Sequence, residues 1–140
     1  MRSLKRLVYL PKKDRSLLLE AAFLIVMVRI ILRCLPLRNA QRTAIGIARV
    51  WRSDTPYAPD RVIWAVQKAA PSIPGSRCLV QALVAQALLV RYSYKPCLTI
   101  GVTKDDRLQL EAHAWVTNDN QILIGDHESG RYTTLLTLGS

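Results

Sequence analysis

The sequence predicts an α+β protein, with N-terminal helices followed by an antiparallel β-meander. Up to Tyr92 the chain is cut by proline-containing breaks into segments rich in helix formers, and after Pro96 it changes to short β-like runs separated by turn residues. Hydrophobic residues make up 50% of the 140 and charged ones 21%, the balance of a folded globule rather than a disordered chain. A chain of this length is expected to form a single domain, residues 1–140.

The first helix is expected from about Asp14 to Leu35, with Asp14 or Ser16 as cap, Arg29 and Arg33 near the closing end, and Pro36 as the stop. Leu17, Phe23, Ile25, Val26, Ile30 and Leu37 are too many apolar positions for one narrow stripe, so this helix should be buried on more than half its girth. A second helix is expected over Arg38 to Trp51, before the prolines at 56 and 59, and a third over Arg61 to Ala69, capped by Asp60. A Pro/Gly/Ser-rich loop from Ala70 to Arg77 then leads to Cys78. From Cys78 to Tyr92, CLVQALVAQALLVRY is apolar with no breaker and reads as a buried helix. Four strands are expected over Cys97–Thr103, Leu108–Val116, Gln121–Asp126 and Arg131–Leu138.

The formal charge of +10 is local. Residues 1–52 carry twelve Lys or Arg against two acids, whereas residues 53–140 carry eight of each. The chain therefore divides into a basic, apolar helical segment (1–52) and a charge-balanced core (53–140). The basic residues alternate with Leu, Ile and Val, no nucleic-acid-binding motif is present, and one Phe offers little stacking, so no nucleic-acid partner is expected. Glu20, Arg29 and Arg33 interrupt the apolar stretch of 16–37, which argues against a membrane span, and its end in Arg-Cys-Leu-Pro argues against a signal peptide. Residues 1–38 remain suited to docking on a partner protein or to peripheral membrane contact. Three cysteines, an odd number, favour free thiols and a cytoplasmic location.

Those cysteines are also the candidate nucleophiles. Cys78 alone falls in the first turn of an expected helix, where unpaired N–H groups and the dipole favour thiolate; Cys34 falls at a closing end and Cys97 opens a strand. A buried inert thiol is the competing reading. Of the two histidines, His113 lies mid-strand on a face with Glu111 and Trp115, and His127 lies in a turn, so His113 is the better base. A hairpin pairing Val116 with Gln121 would set His113 opposite Ile124, two residues from Asp126, whose carboxylate could then orient the imidazole. Cys78, His113 and His127 lack paired ligand spacing, so no metal is expected, and no cofactor either.

Several stretches resemble a known family: CLVQALVAQALLVR (Cys78–Arg91), IGV (Ile100–Val102), EAHAWV (Glu111–Val116), Asp126 after the next strand, and the opening helix between Leu17 and Arg38. Together they are similar to the transglutaminase-like leader peptidases of lasso-peptide biosynthesis, the protease half of the split B protein. The resemblance implies a papain-like cysteine protease core in which Cys78 is the nucleophile, His113 the general base and acid, and Asp126 the orienting carboxylate, with Asp119 a nearby alternative. It implies cleavage of the leader from a ribosomally made precursor peptide, with a separate leader-recognition protein and a lasso cyclase as partners. A transglutaminase-like acyltransferase and a non-catalytic scaffold are the alternatives. The oxyanion donors would be the Cys78 N–H and one of Gln81, Gln86 or Trp64. Tyr92-Ser-Tyr94 departs from the family pattern, in which a basic, Gly-containing turn follows the Cys helix.

Overall fold

The fold follows from one helix that is apolar on every side. In a computed structural model that describes residues 12–50, 57–73, 78–104, 107–119, 121–124 and 133–139, helix α4 (Cys78–Arg91) is buried continuously from Ala82 to Leu89. A helix without a polar face needs neighbours all round. Helices α1 (Lys12–Cys34), α2 (Leu37–Val50) and α3 (Pro59–Ala69) pack against it, and the sheet covers it through β2. Strands β1 (Cys97–Lys104), β2 (Leu110–Asn118), β3 (Gln121–Ile124) and β4 (Thr133–Gly139) form one antiparallel sheet. The expected α+β class therefore holds.

Spatial strand order is β3-β2-β1-β4. The meander runs through β1 to β3, but β4 returns to pair with β1 at the other edge, with Leu98 opposite Leu138. The β2–β3 register also differs from the expected one. Asn118 pairs with Gln121 across a two-residue turn, and a bulge then places Ile124 opposite Val116, so His113 does not face Ile124. The reason is local: Asp119 takes φ 51, the left-handed conformation that a tight two-residue hairpin needs, and Asp tolerates it.

Helix α1 starts earlier than expected, at Lys12, so Asp14 lies in its first turn. Its carboxylate pairs with Arg61 of α3 rather than capping the helix. Leu17, Leu18, Ala21, Leu24, Ile25 and Val28 fill the core, whereas Leu19, Phe23, Val26 and Ile30 are exposed. The excess of apolar residues thus forms a second stripe, at spacings of four, three and four, on the side away from α2, α3 and α4. No helix among the described residues is long and apolar enough to cross a membrane.

Two polar clusters fix the helices to each other. Glu20 of α1 accepts from Arg91 (3.0 Å) and from the Tyr92 hydroxyl (2.6 Å) at the closing end of α4. The Tyr57 ring meets Tyr92 edge-on at 4.9 Å, and the Tyr94 hydroxyl donates to the Tyr57 carbonyl. In the middle of α4, buried Gln86 accepts from Gln41 of α2 and donates to the Leu138 carbonyl, while Gln41 also donates to the Gly139 carbonyl. Buried amides are kept only when their partners are present, so these bonds set the register of α2, α4 and β4.

Helix α4 ends in a Schellman motif. The Tyr94 N–H bonds the Leu89 carbonyl, the Ser93 N–H bonds the Val90 carbonyl, and Ser93 between them has φ 71. The departure from a Gly-containing turn is therefore in residue type, since serine occupies the left-handed position that glycine fills without a Cβ penalty. Ser93→Gly is expected to stabilise the fold by about 0.5–1 kcal/mol, read as a higher urea midpoint at unchanged slope. A second test uses pH. Burial, and then the hydrogen bond to Glu20, push the Tyr92 phenol well above its ordinary value of 10.0. The folded state holds this proton where the unfolded chain loses it, so the contribution is complete below pH 10.0 and declines as pH rises toward the folded value. Urea melts should show stability falling above that pH, with a shallower fall in Tyr92→Phe.

Candidate active site

Cys78 is the first residue of α4, half-buried, with a free thiol. The N–H groups of that first turn have no partners within the helix, and the peptide dipoles present their positive end to the sulfur. A thiol so placed is biased toward the nucleophilic thiolate. Cys34 closes α1 and is exposed, and Cys97 opens β1, so neither has this arrangement.

His113 lies in the middle of β2, half-buried and directly opposite Gly101 of β1. Its ring stacks on Trp115, with centroids 6.4 Å apart and planes at 29°. Strand alternation separates this pair from Ala114 and Val116, which belong to the core shared with the helices. Gly101, read in the sequence only as part of IGV, presents no side chain to the imidazole from β1.

The topology brings Cys78 and His113 to one level. The short connection Tyr92–Pro96 folds back on α4 through the Tyr94–Leu89 bond, so β1 runs antiparallel to the helix. Gln86 touches Leu138, which pairs with Leu98. From Gln86 to Cys78 is about 12 Å along the helix, and from Leu98 to Gly101 is about 10 Å along the strand in the same direction. Both candidate groups therefore lie at the end of the layer where α4 begins, but His113 stands on the face of β2 away from α4, so the two share a level and not a face. There Ala112, on the helix-facing side of β2, is exposed, so the sheet extends past the cover of the helices. Among the described residues no hydrogen bond joins the Cys78 thiol to His113.

The superfamily assignment adds to this geometry. A profile described as transglutaminase-like superfamily matches residues 17–137, from the second turn of α1 to β4. The chain belongs to the transglutaminase-like superfamily. That superfamily includes cysteine proteases and acyltransferases, and its members are often cysteine-dependent enzymes. No curated protein and no solved structure matches the chain.

Asp126 and His127 lie outside the described residues. The alternative acid, Asp119, sits in the β2–β3 turn, six residues beyond His113 and about 20 Å along an extended strand, too far to orient the imidazole. Of the oxyanion candidates, Gln86 is removed by its place in the core, and Trp64 carries a cation on its ring face. Gln86 is fully buried about 12 Å along α4 from Cys78, with both ends of its amide engaged. The Trp64 ring is covered by the Arg61 guanidinium at 4.1 Å, and Arg61 in turn pairs with Asp14. Gln81, one turn after Cys78, stays at the same end as the thiol. Gln86→Leu is expected to cost about 2–4 kcal/mol, because the Gln41 amide and the Leu138 carbonyl lose their partner inside the protein, and urea unfolding measures the loss.

Proposed function

We propose that this protein is a cysteine peptidase that removes the leader from a ribosomally synthesised precursor peptide of the lasso class. The observation that carries this reading is Cys78 at the opening of a buried helix, at the level of His113 on the adjacent strand, within a transglutaminase-like chain. The sequence resemblance of CLVQALVAQALLVR and EAHAWV to the lasso leader peptidases supplies the substrate class.

In this mechanism His113 takes the Cys78 proton and the sulfur attacks the scissile carbonyl. The developing oxyanion is held by the Cys78 N–H, with Gln81 as the second donor. His113 then protonates the leaving amine, which departs and leaves a thioester on Cys78. Water, deprotonated by His113, attacks the thioester and releases the acid with the free thiol. Asp126 orients the imidazole. This role rests on the sequence resemblance, in which Asp126 follows the strand after EAHAWV. Gly101 and the Trp115 ring position the imidazole on its strand.

The chain acts as a single catalytic domain in the cytoplasm and leaves leader binding to a separate recognition protein, upstream of the lasso cyclase. The exposed Leu19/Phe23/Val26/Ile30 stripe within the basic segment is a suitable contact for that protein, and the same segment would serve a peripheral membrane contact. The second reading, an acyltransferase, uses the same thioester with an amine in place of water, and the superfamily's membership supports it.

Mass spectrometry of the cognate precursor, incubated with this protein and its leader-binding partner, tests the reading. Wild type should release leader and core, Cys78→Ala should release neither, and Cys34→Ala and Cys97→Ala should cleave as wild type does. Turnover by Cys78→Ala would overturn the mechanism, and an amine adduct in place of a free acid would favour the acyltransferase.

A further inference from the structure

Helix α2 carries three arginines and no acid. Arg38, Arg42 and Arg49 fall on one face of the helix, with Ile45 and Gly46 between them, and this face closes a groove against Leu138 and Gly139 of β4. The groove has a volume of about 450 Å³, within the range of small-ligand sites. Among the described residues none of the three arginines has a carboxylate partner, and no acid lines the groove. Two other arginines are paired, Arg61 with Asp14 and Arg91 with Glu20, whereas Arg15, Arg29 and Arg33 of α1 have no carboxylate partner among the described residues but line no groove with α2.

Arg38 stands in the first turn of α2, where the macrodipole already presents positive charge and a cation is unfavourable. Among the described residues no carboxylate offsets this, and an anion in the groove would. The floor is apolar, formed by Ile45 and Leu138, and Gly46 leaves its middle open, since a Cβ there would meet nothing within 4 Å. The β4 carbonyls at this end are already taken, Leu138 by Gln86 and Gly139 by Gln41. A ligand would thus be read by guanidinium forks and apolar contact rather than by strand addition.

We propose that this groove binds an acidic peptide segment, its carboxylates on Arg38, Arg42 and Arg49 and an intervening apolar side chain over Ile45. From Arg38 to Arg49 the helix rises about 16 Å, the reach of roughly five extended residues. A nucleic acid fits less well, because no aromatic side chain among the described lining residues offers a stacking surface. A lipid surface fits less well because the site is concave. Binding there requires no chemistry at Cys78, which lies at the other end of the Gln86–Cys78 stretch of α4, so it stands apart from the peptidase reading.

Fluorescence anisotropy with a fluorescein-labelled peptide of alternating Glu and Leu tests the site on the full chain carrying Cys78→Ala, which removes cleavage as a complication. Arg38→Ala with Arg42→Ala should weaken binding by about tenfold or more. Gly46→Phe, which fills the groove without changing charge, should do the same, with Gly46→Ala as the milder variant and circular dichroism as the check on folding. Arg33→Ala, which removes a charge from the exposed end of α1, should leave affinity within about twofold. The proposal is overturned if folded Gly46→Phe and Gly46→Ala bind as tightly as the parent, or if the peptide with Gln for Glu binds equally well. It is also overturned if single-stranded RNA or phosphatidylserine vesicles bind in an Arg38- and Arg42-dependent way while the peptide does not.

Discussion

The constraint on which the structure depends is that α4 has no face suited to water. Its buried run from Ala82 to Leu89 has to be enclosed, and the enclosure determines the rest: three helices on one side, β2 and its neighbours on the other. Only the ends of such a helix can reach solvent. At the closing end the chain emerges through a serine in the left-handed conformation and turns directly into β1. At the opening end it emerges at Cys78, and the same packing that makes the helix a core element makes its first residue a half-exposed thiol on a helix dipole.

Burying α4 also required buried polar groups to be matched. Gln86, fully enclosed, bonds both α2 and the β4 edge. Glu20 gathers Arg91 and Tyr92, although the Arg91 Nε stays buried without an acceptor. These groups act at a distance on the candidate site by fixing position. The Gln86–Leu138 contact sets how far α4 slides along the sheet, and that sliding decides whether Cys78 comes level with His113. Strand parity is a separate constraint: it places His113 with Trp115 on the face of β2 opposite the helix-facing Ala114 and Val116.

The fold class and most element bounds were legible because they rest on local chemistry. Pro36 and Pro59, the unbroken apolar run after Cys78, and the shift to short β-like runs after Pro96 each act within a few residues. What was not legible depended on partners distant in sequence. The return of β4 to β1 is a choice between two edges that no local signal separates, and the β2–β3 register turned on the backbone conformation at Asp119. Phe23, Val26 and Ile30 read as core because composition shows that a helix is apolar but not which side its neighbours occupy. Of the site, the first-turn placement of Cys78 and the Trp115-sharing face of His113 were readable from periodicity. Gln86 misled as an oxyanion candidate because its buried partners, Gln41 and Leu138, lie 45 and 52 residues away.

The charge asymmetry takes on a different meaning once the pairings are known. In the sequence, residues 1–52 look like a uniformly basic segment with two stray acids. In the structure those two acids, Asp14 and Glu20, are both turned to partners outside that segment, Arg61 and Arg91. They neutralise the core's cations rather than the segment's own. The arginines of α2 are left with no opposite charge among the described residues, and three of them line one groove. Clustered like charges raise the folding free energy by mutual repulsion, and Arg38 adds a cation in the first turn of α2, a local conflict with no compensating carboxylate among the described residues. Such conflicts are where function is expected: an anion placed between Arg38 and Arg42 would relieve the helix-terminus and repulsion penalties together.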